Sequence, residues 1–255
     1  MKIIHVAGTS GSGKTTFILD LLAVLKERGS VASVKHLGHH RFDLVPEKDT
    51  TVFYETGIGC SVGIDDEKAV FVTRGGALPG VLRELSDSGV EYAVIEGFKS
   101  LPYPKIVLGD VALEQVILRN PTVGQVIGSL HLFEDLYTME GVVRELRRSC
   151  DMREAGCILT FNGIVREQEG GKKTQYLEFS GEFDRVILET VREMEAMDGI
   201  LGVRVRHRRG RLGPGEDISF VAVCARHRDQ ASGALMHGLD RLKSGLHKQG
   251  RDLAE

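Results

Sequence analysis

The first residues with a recognisable chemistry lie near the start of the chain, where the sequence fits the pattern GxxxxGKT. In this pattern glycines let backbone N–H groups turn toward a phosphate, a lysine reaches the terminal phosphates, and a hydroxyl group can bind Mg²⁺. The apolar run at 3–7 and the amphipathic run at 16–28, which Gly29 ends, predict the strand and helix that this loop requires. The residues expected to bind the nucleotide are Gly8, Thr9, Ser10, Gly11, Ser12, Gly13, Lys14, Thr15 and Thr16.

Acidic residues and histidines are further candidates for chemistry at the same site. Glu96 follows the apolar run at 92–95, and an acid at the carboxyl end of a buried strand can hold Mg²⁺ or orient water. A polar segment after the second predicted strand contains His36, His39, His40 and Asp43. It is either a solvated, phosphate-facing cluster or a structural zinc site, and the absence of a nearby cysteine favours the former. The candidate metal ligands are Thr15, Glu96 and Asp43.

Basic residues in the second half follow the ends of predicted strands. They are Arg166, Arg206–His207–Arg208–Arg209 and Arg226–His227–Arg228, with Lys243, His247 and Lys248 near the end of the chain. If the strands are neighbours in one sheet, their ends would form a pocket for a small phosphate-bearing substrate, since arginine binds phosphate with two hydrogen bonds. The alternative is a solvated basic rim. Few aromatic residues accompany these cations, which argues against RNA binding.

The elements that position these residues differ between the two halves. Strands predicted at 31–36, 92–95, 105–108 and 115–118 join the first strand and helix, and a helix near 136–148 closes an alternating pattern. This pattern predicts an α/β fold with a mostly parallel sheet over residues 1–148. Residues 149–255 carry a hairpin about 167–173, strands at 157–165, 174–179, 203–207 and 218–225, and helices at 183–197 and 230–243. They predict a second, α+β domain.

Composition excludes several classes of protein. The 255 residues are sufficient for two domains, and 33 basic against 36 acidic residues give a net charge of −3, which does not favour nucleic acid or membrane. No apolar run is long enough to span a bilayer and no secretory signal is recognisable, so we expect a cytoplasmic protein. The four cysteines show no CxxC spacing, and Cys157 and Cys224 lie in apolar strands, which favours burial over metal binding.

The first half resembles the MobB-type GTP-binding protein of molybdopterin guanine dinucleotide biosynthesis. The resemblance rests on the loop at 8–16, Val-Lys-His at 34–36 with His39 and Asp43, Lys48-Asp49, Glu-Gly-Phe-Lys at 96–99 and Pro-Lys-Ile at 104–106. It implies GTP and Mg²⁺ as cofactors, weak hydrolysis, and a MobA-type guanylyltransferase as partner. Lys48 and Asp49 either reach the nucleotide or form a surface ion pair. No NKxD-like guanine motif is present.

The second half resembles the MoaE-type large subunit of molybdopterin synthase. The matching segments are 155–166, 177–179, 207–212, 214–216, 227–228 and 239–243. The resemblance implies conversion of cyclic pyranopterin monophosphate, the pterin substrate, to molybdopterin, with sulfur from the Gly-Gly thiocarboxylate of a small MoaD-type subunit. Arg166, His207 and Arg208 would bind the substrate or the partner's tail, and Lys243 would be catalytic. Both resemblances suggest a homodimer.

The end of the chain departs from that family. Its members follow the Leu-Lys pair with Pro-x-Trp-Lys-(Lys/Arg)-Glu, whose lysine is catalytic, whereas this chain has Ser-Gly-Leu-His-Lys-Gln at 244–249 and no tryptophan. Lys248 can take the place of that lysine only if two residues are deleted from the spacing. The two resemblances together lead to the first interpretation, a fusion of the two activities. The alternatives are a nonenzymatic, nucleotide-dependent scaffold that still binds the sulfur carrier, and an unrelated P-loop kinase or metallochaperone.

Overall fold

The computed structural model describes residues 1–38, 43–74, 76–169, 172–179 and 183–248. The chain divides into two compact units. The first unit comprises Lys2–Leu85 and Val90–Glu134, and the second comprises Met1, Ser86–Gly89 and Asp135–Glu255.

The first unit is an α/β structure. Its strands are β1 (Lys2–Gly8), β2 (Val31–Lys35), β3 (Cys60–Ile64), β4 (Ala69–Thr73), β5 (Tyr92–Glu96), β6 (Lys105–Leu108) and β7 (Val116–Arg119). Its helices are α1 (Lys14–Leu25), α2 (Asp49–Glu55), α3 (Leu78–Asp87) and α4 (Val123–Gly128). The predicted strands and first helix are confirmed, with ends that differ by at most three residues.

A parallel sheet of order β2-β5-β1-β6-β7 forms the centre of the first unit. Its middle strands are apolar and covered on both faces, as is typical of parallel sheets. Ile4, Val6 and Ile106 are fully buried in a core that Leu21 and Leu25 of α1 complete. Because all five strands run the same way, their carboxyl ends meet at one edge, and β1 brings the loop at 8–16 to the middle of it.

A hairpin of β3 and β4, which the sequence analysis did not predict, lies outside the parallel sheet. The two strands pair only with each other, with Val62 opposite Phe71. One face lies against α2, where the Ser61 hydroxyl donates to the Thr50 carbonyl at 2.8 Å. The other face is exposed although it carries Val62, Ile64 and Phe71. The usual alternation of buried apolar and exposed polar residues is therefore missing here.

The second unit is an α+β structure, as predicted. Its strands are β8 (Cys157–Ile164), β9 (Gln168–Glu169), β10 (Lys172–Lys173), β11 (Leu177–Phe179), β12 (Ile200–His207), β13 (Gly210–Leu212) and β14 (Asp217–Ala225). Its helices are α5 (Met139–Ser149), α6 (Asp184–Glu195) and α7 (Arg228–Lys248). An antiparallel sheet of order β12-β14-β8 is central, while β9 pairs with β10 and β11 with β13. The tip of the predicted hairpin, residues 170–171, lies outside the described residues.

Helices cover both faces of this antiparallel sheet. Val203 and Val223 pack with Met194 of α6 and Leu242 of α7 on one face. On the other face, the buried residues Phe220, Ala222 and Cys224 pack against Val142 and Leu146 of α5. Cys224 is thus buried as expected, and Cys157 is half-buried at the edge of the first of these cores.

Helix α5 corrects one prediction. Its extent was predicted, but as the closing helix of the first domain, whereas it packs under β12 and β14 of the second unit. The reason is physical: its apolar stripe is complementary to the face of β14 that α6 and α7 leave open. The second unit accordingly takes in the chain from Asp135 onward, while the predicted boundary at residue 148 falls at the end of α5.

Candidate functional site

The loop between β1 and α1 has the close approaches that only glycine permits. A Cβ at Gly8 would lie 2.3 Å from the Leu108 carbonyl oxygen, so no side chain fits there. Gly11 and Gly13 have φ values of 76° and 79°, in the left-handed region that favours glycine. Gly13 is also the N-cap of α1 and has no side chain to cap it. The N–H groups at the start of α1 consequently remain available for an anion.

Lys14 and Thr15 begin α1 directly after the glycines of the loop. The Lys14 ammonium donates to the Thr9 carbonyl within the loop, and the Ser12 hydroxyl donates to the same oxygen at 2.9 Å. Thr15 is exposed in the first turn of α1. Glycine backbone, lysine and threonine hydroxyl together fit a nucleoside triphosphate with its Mg²⁺, for which few direct protein ligands are needed.

Glu96 ends β5 directly beside the strand that carries the loop. It pairs with Val6 of β1 and Lys35 of β2 in the register of the sheet, and its carboxylate lies 3.4 Å from the Lys35 ammonium. The side chain of Glu96 is largely buried, with 18% exposure. Its position at the carboxyl edge agrees with an acid that acts on metal or water.

The other proposed metal ligands are not assembled. Asp43 is exposed, and among the described residues no three His, Cys, Asp or Glu side chains come close enough to hold a metal ion. His36 instead stacks on Phe98, with ring centroids 4.4 Å apart, while His39 and His40 lie outside the described residues. Lys48 and Asp49 are exposed and, in the ranges described, form no ion pair with each other.

Two buried polar side chains beside the loop were missed by the sequence analysis. His5 is fully buried in β1 opposite Lys105 of β6, and its Nε2 lies 2.6 Å from the Gly97 carbonyl oxygen. Lys105 is buried as well and donates to the carbonyls of Leu101 and Tyr103. Desolvation lowers the pKa of both groups. They hold the connection from β5 to β6, and the only signal in the sequence was one titratable residue within or at the start of each apolar run.

In the second unit, Glu216 brings two predicted arginines to the same turn. The Glu216 carboxylate accepts from Arg208 Nη1 at 3.2 Å, and its backbone carbonyl accepts from the Val165 N–H at 2.9 Å. Arg166 follows Val165 directly, is exposed, and has no carboxylate partner among the described residues. In the antiparallel register, Ile164 lies opposite Asp217, and His207 opposite Ser219. The ends of β8 and β12 therefore meet the start of β14 at one edge.

His207 lies at this edge with a half-buried side chain. Its ring packs edge-on against Phe179 and Phe183, with centroids 4.6 and 4.9 Å away. Desolvation lowers the pKa of His207 although its Nδ1 lies 2.7 Å from the Arg208 carbonyl oxygen. A carbonyl only accepts, so Nδ1 carries the hydrogen and Nε2 keeps its lone pair. Among the described residues, Nε2 is buried without a partner, which makes it a hydrogen-bond acceptor or base.

Lys243 lies on α7 near the same edge. Gly245, two residues on, is so close to Val186 in the first turn of α6 that a Cβ there would lie 2.5 Å from Val186 Cγ1. Leu242 shares a core with Phe183, which contacts His207. Lys243 is exposed, and in the described part of the chain no acid pairs with it. Lys248 is the last residue of α7, and its side chain lies outside the described residues.

Several other predicted cations do not join a common pocket. Arg226–Arg228 follow the opposite end of β14, because β14 runs antiparallel to both neighbours, and Arg226 pairs with Glu154. Arg206 faces α5, where it pairs with Glu145, since successive side chains of a strand alternate between faces. Arg209 pairs with Asp184. Carboxylates thus neutralise much of the expected basic patch.

A cavity of about 400 Å³ opens beside the edge strand β12. Its lining includes His207, Tyr137 and Arg204, together with apolar side chains of α6, but not Arg166, Arg208 or Lys243. Burial raises the pKa of the Tyr137 hydroxyl far above its usual value, so that it stays protonated. Within the described ranges, no helix is both long and apolar enough to cross a membrane.

The first unit is an α/β domain with a glycine-rich loop between β1 and α1, and the second is an α+β domain with polar residues gathered at one sheet edge. Residues 3–128 match the family model of molybdopterin guanine dinucleotide synthesis protein B (MobB), and residues 136–245 match that of the MoaE protein. A protein of Haloferax volcanii named as a probable molybdopterin synthase is 32% identical over 252 residues, covering 94% of this chain and 92% of its own length.

Two further relatives each match one half of the chain. A molybdopterin synthase catalytic subunit of Cereibacter sphaeroides is 38% identical over 91 residues, covering 35% of this chain and 62% of its own length. The crystal structure of Bacillus subtilis MobB shares 26% identity, covers 47% of this chain and 77% of its own, and has a TM-score of 0.39. The chain belongs to the family of the Haloferax protein and is composed of a MobB domain followed by a MoaE domain. Its place is in molybdenum cofactor biosynthesis.

Proposed function

We propose that the MobB domain binds GTP with Mg²⁺ and hydrolyses it slowly. The geometry of the loop at 8–16 supports this proposal: Gly8 lies too close to the Leu108 carbonyl for any side chain, and Gly11 and Gly13 take left-handed conformations that let the loop turn its N–H groups toward an anion. Lys14 would exchange the Thr9 carbonyl for the terminal phosphates, and Thr15 would supply a hydroxyl to Mg²⁺. Glu96, beside β1, would orient the attacking water or a metal-bound water.

Nucleotide titration of the full chain tests this function. GTP binding is measured by isothermal titration calorimetry. It should require Mg²⁺ and should saturate at one site per chain. Release of phosphate should be slow. Absence of nucleotide binding in the presence of Mg²⁺ would contradict the proposal for this domain.

For the MoaE domain we propose sulfur transfer from the thiocarboxylated tail of a small MoaD-type subunit to cyclic pyranopterin monophosphate, giving molybdopterin. The observation that supports it is the convergence of Arg166, His207 and Arg208 on one sheet edge around Glu216. The arginines would bind the substrate phosphate or the tail carboxyl. The buried lone pair of His207 would accept a hydrogen bond or a proton there, and Lys243 would act as acid or base.

The decisive experiment incubates the purified chain with thiocarboxylated small subunit and cyclic pyranopterin monophosphate, and measures molybdopterin by mass spectrometry. The matched control uses the small subunit with an ordinary carboxylate tail. Product in the first mixture alone would support the enzyme. Binding of the small subunit without product would instead support the nonenzymatic scaffold, which the departures after Lys243 favour. If the chain forms no product and does not bind the small subunit, both interpretations are overturned.

We propose a MobA-type guanylyltransferase as the partner of the MobB domain.

We also propose that the chain forms a homodimer through the exposed face of the β3–β4 hairpin. This face is formed by Cys60, Val62, Ile64, Ala69, Phe71 and Thr73. All six residues are exposed, with Phe71 at 68% and Ile64 at 80%, and none is charged. The hairpin turn at one end of this face carries Asp65, Asp66 and Glu67, with Lys68 paired to Asp65. Arg74 lies at the other end, over the Tyr54 ring, and donates to the carbonyls of Tyr54 and Ile58; among the described residues no acid pairs with it.

This arrangement of charge suits a second copy of the chain. When two identical faces pack in an antiparallel, two-fold manner, the acidic turn of one copy meets Arg74 of the other. Phe71→Asp should therefore yield a monomer by sedimentation equilibrium where the parent chain is a dimer. Val45→Asp, at another exposed apolar residue of this unit, is the control. A dimer that survives Phe71→Asp would place the interface elsewhere.

A further inference from the structure

The loops that follow β6 and β7 lie against the phosphate-binding loop, on the side of β1 away from Glu96. Gly8 is opposite Leu108 in the sheet, and Gly109 continues into contact with the loop. A Cβ at Gly109 would lie 3.0 Å from Thr9 Oγ1 and 3.2 Å from Ser12 Cβ. The side of the nucleotide site beyond the phosphates is therefore built by the residues after Leu108.

Asn120 ties the two loops together. It follows β7 with a φ of 46°, a left-handed conformation that is uncommon for residues other than glycine. Its side-chain oxygen accepts from the Gly109 N–H at 2.7 Å, and Arg119 donates to the carbonyls of Gly109 and Val111. Because the amide oxygen is occupied, the Nδ2 group is left with two donors, for which the described residues offer no acceptor.

An exposed acid follows Gly109 in the chain. Asp110 directly follows Gly109, is exposed, and in the described ranges has neither an ion pair nor a hydrogen bond to its carboxylate. Asp110 and Asn120 are thus both joined to Gly109, one by the chain and the other by a hydrogen bond, and Gly109 lies against the loop at 8–16.

We infer that Asp110 and Asn120 are the residues that select guanine. Guanine carries donors at N1 and N2 and acceptors at O6 and N7. Asp110 would accept from N1–H and N2–H, and Asn120 Nδ2 would donate to O6. Adenine has an acceptor at N1 and a donor at N6, so the same pair would face like partners and reject it. This inference rests on the proposed GTP binding and names the base-reading residues of that site.

Xanthosine triphosphate provides the sharpest test, because xanthine differs from guanine by an oxygen in place of the N2 amine. The affinities of GTP, XTP and ATP are measured for the parent chain and for Asp110→Asn. The parent chain should bind GTP at least tenfold more tightly than XTP or ATP. Asp110→Asn should lose tenfold to a hundredfold in GTP affinity, the usual effect of a charge-assisted hydrogen bond, and should bind XTP more tightly than GTP.

Two further variants separate base reading from damage to the fold. Glu114→Gln removes another exposed acid of the same loop and should leave the order of affinities unchanged. Asn120→Asp keeps the oxygen that holds the Gly109 N–H but removes the donors, and should weaken GTP and XTP alike, since both carry O6. An Asp110→Asn chain that still prefers GTP would overturn the inference. A parent chain that binds no GTP would instead overturn the proposed function.

Discussion

Gly109 gives the most direct test of how the β6 loop supports the nucleotide site. Its φ is +84°, and a Cβ there would lie 3.0 Å from Thr9 Oγ1 and 3.2 Å from Ser12 Cβ. Gly109→Ala therefore has two effects. It forces an alanine into a left-handed conformation, and it pushes a methyl group against the phosphate-binding loop.

Gly57→Ala has only the first effect and therefore serves as the control. Gly57 has a φ of +96° in the same unit, but its Cβ would have no neighbour within 4 Å. Both variants should lose about 1–2 kcal/mol of stability from the backbone conformation. The contacts at Gly109 are tighter than most Cβ contacts, and displacement of Thr9 and Ser12 by a few tenths of an ångström should cost about another 1 kcal/mol in nucleotide binding, or roughly fivefold in affinity.

The assay combines thermal unfolding followed by circular dichroism with calorimetric titration of Mg²⁺-GTP, on both variants and the parent chain. We expect similar losses of stability in the two variants, and weaker nucleotide binding only in Gly109→Ala. Equal nucleotide affinity in Gly109→Ala and Gly57→Ala would refute the view that the β6 loop shapes the site.

Four other predictions concern single side chains. Lys14→Ala should weaken GTP binding by about 2–4 kcal/mol, and unchanged affinity by calorimetry would contradict the phosphate-binding role. Glu96→Gln should slow phosphate release more than it weakens GDP binding, and equal effects on both would argue against action on water or metal. Lys243→Ala should lower molybdopterin formation by about 10² or more with small-subunit binding retained, whereas a change of only about 0.3–1 kcal/mol in stability would indicate a role at the helix end. The pKa of His207 in the folded chain lies below its usual 6.5, so the unfolded chain takes up a proton first and the free energy of unfolding should fall as the pH is lowered through 6.5. His207→Phe should reduce this pH dependence, measured by urea denaturation. An unchanged dependence of stability on pH would refute the assignment of His207 as neutral.

The amino-acid sequence determined the identity and position of the phosphate-binding loop. Glycine, lysine and threonine at fixed spacing act within one short segment, so their geometry is local and follows from backbone preferences. The parallel sheet could be predicted for a similar reason, because short apolar runs between turn residues are typical of strands buried on both faces. The hairpin of β3 and β4 escaped prediction because its apolar residues face outward.

Tertiary structure decided where α5 packs and which cations meet. The helical period of α5 shows an apolar stripe but not the surface that covers it, and only the open face of β14 settles its place in the second unit. Arg226 and Arg166 have similar surroundings in the sequence, yet the antiparallel course of β14 puts them at opposite edges. The order of strands in a sheet depends on long-range pairing, which no local pattern records.

The contrast is clearest at His207 and Asn120. The sequence supplied the residue types, a histidine among arginines and an asparagine after a strand. Whether His207 is charged depends on Phe179 and Phe183, which desolvate it from other parts of the chain. Which end of the Asn120 amide is left for a further partner depends on the Gly109 N–H, which binds its oxygen. A side chain's chemistry follows from its type, but its protonation and its remaining hydrogen bonds are set by neighbours that only the fold brings together.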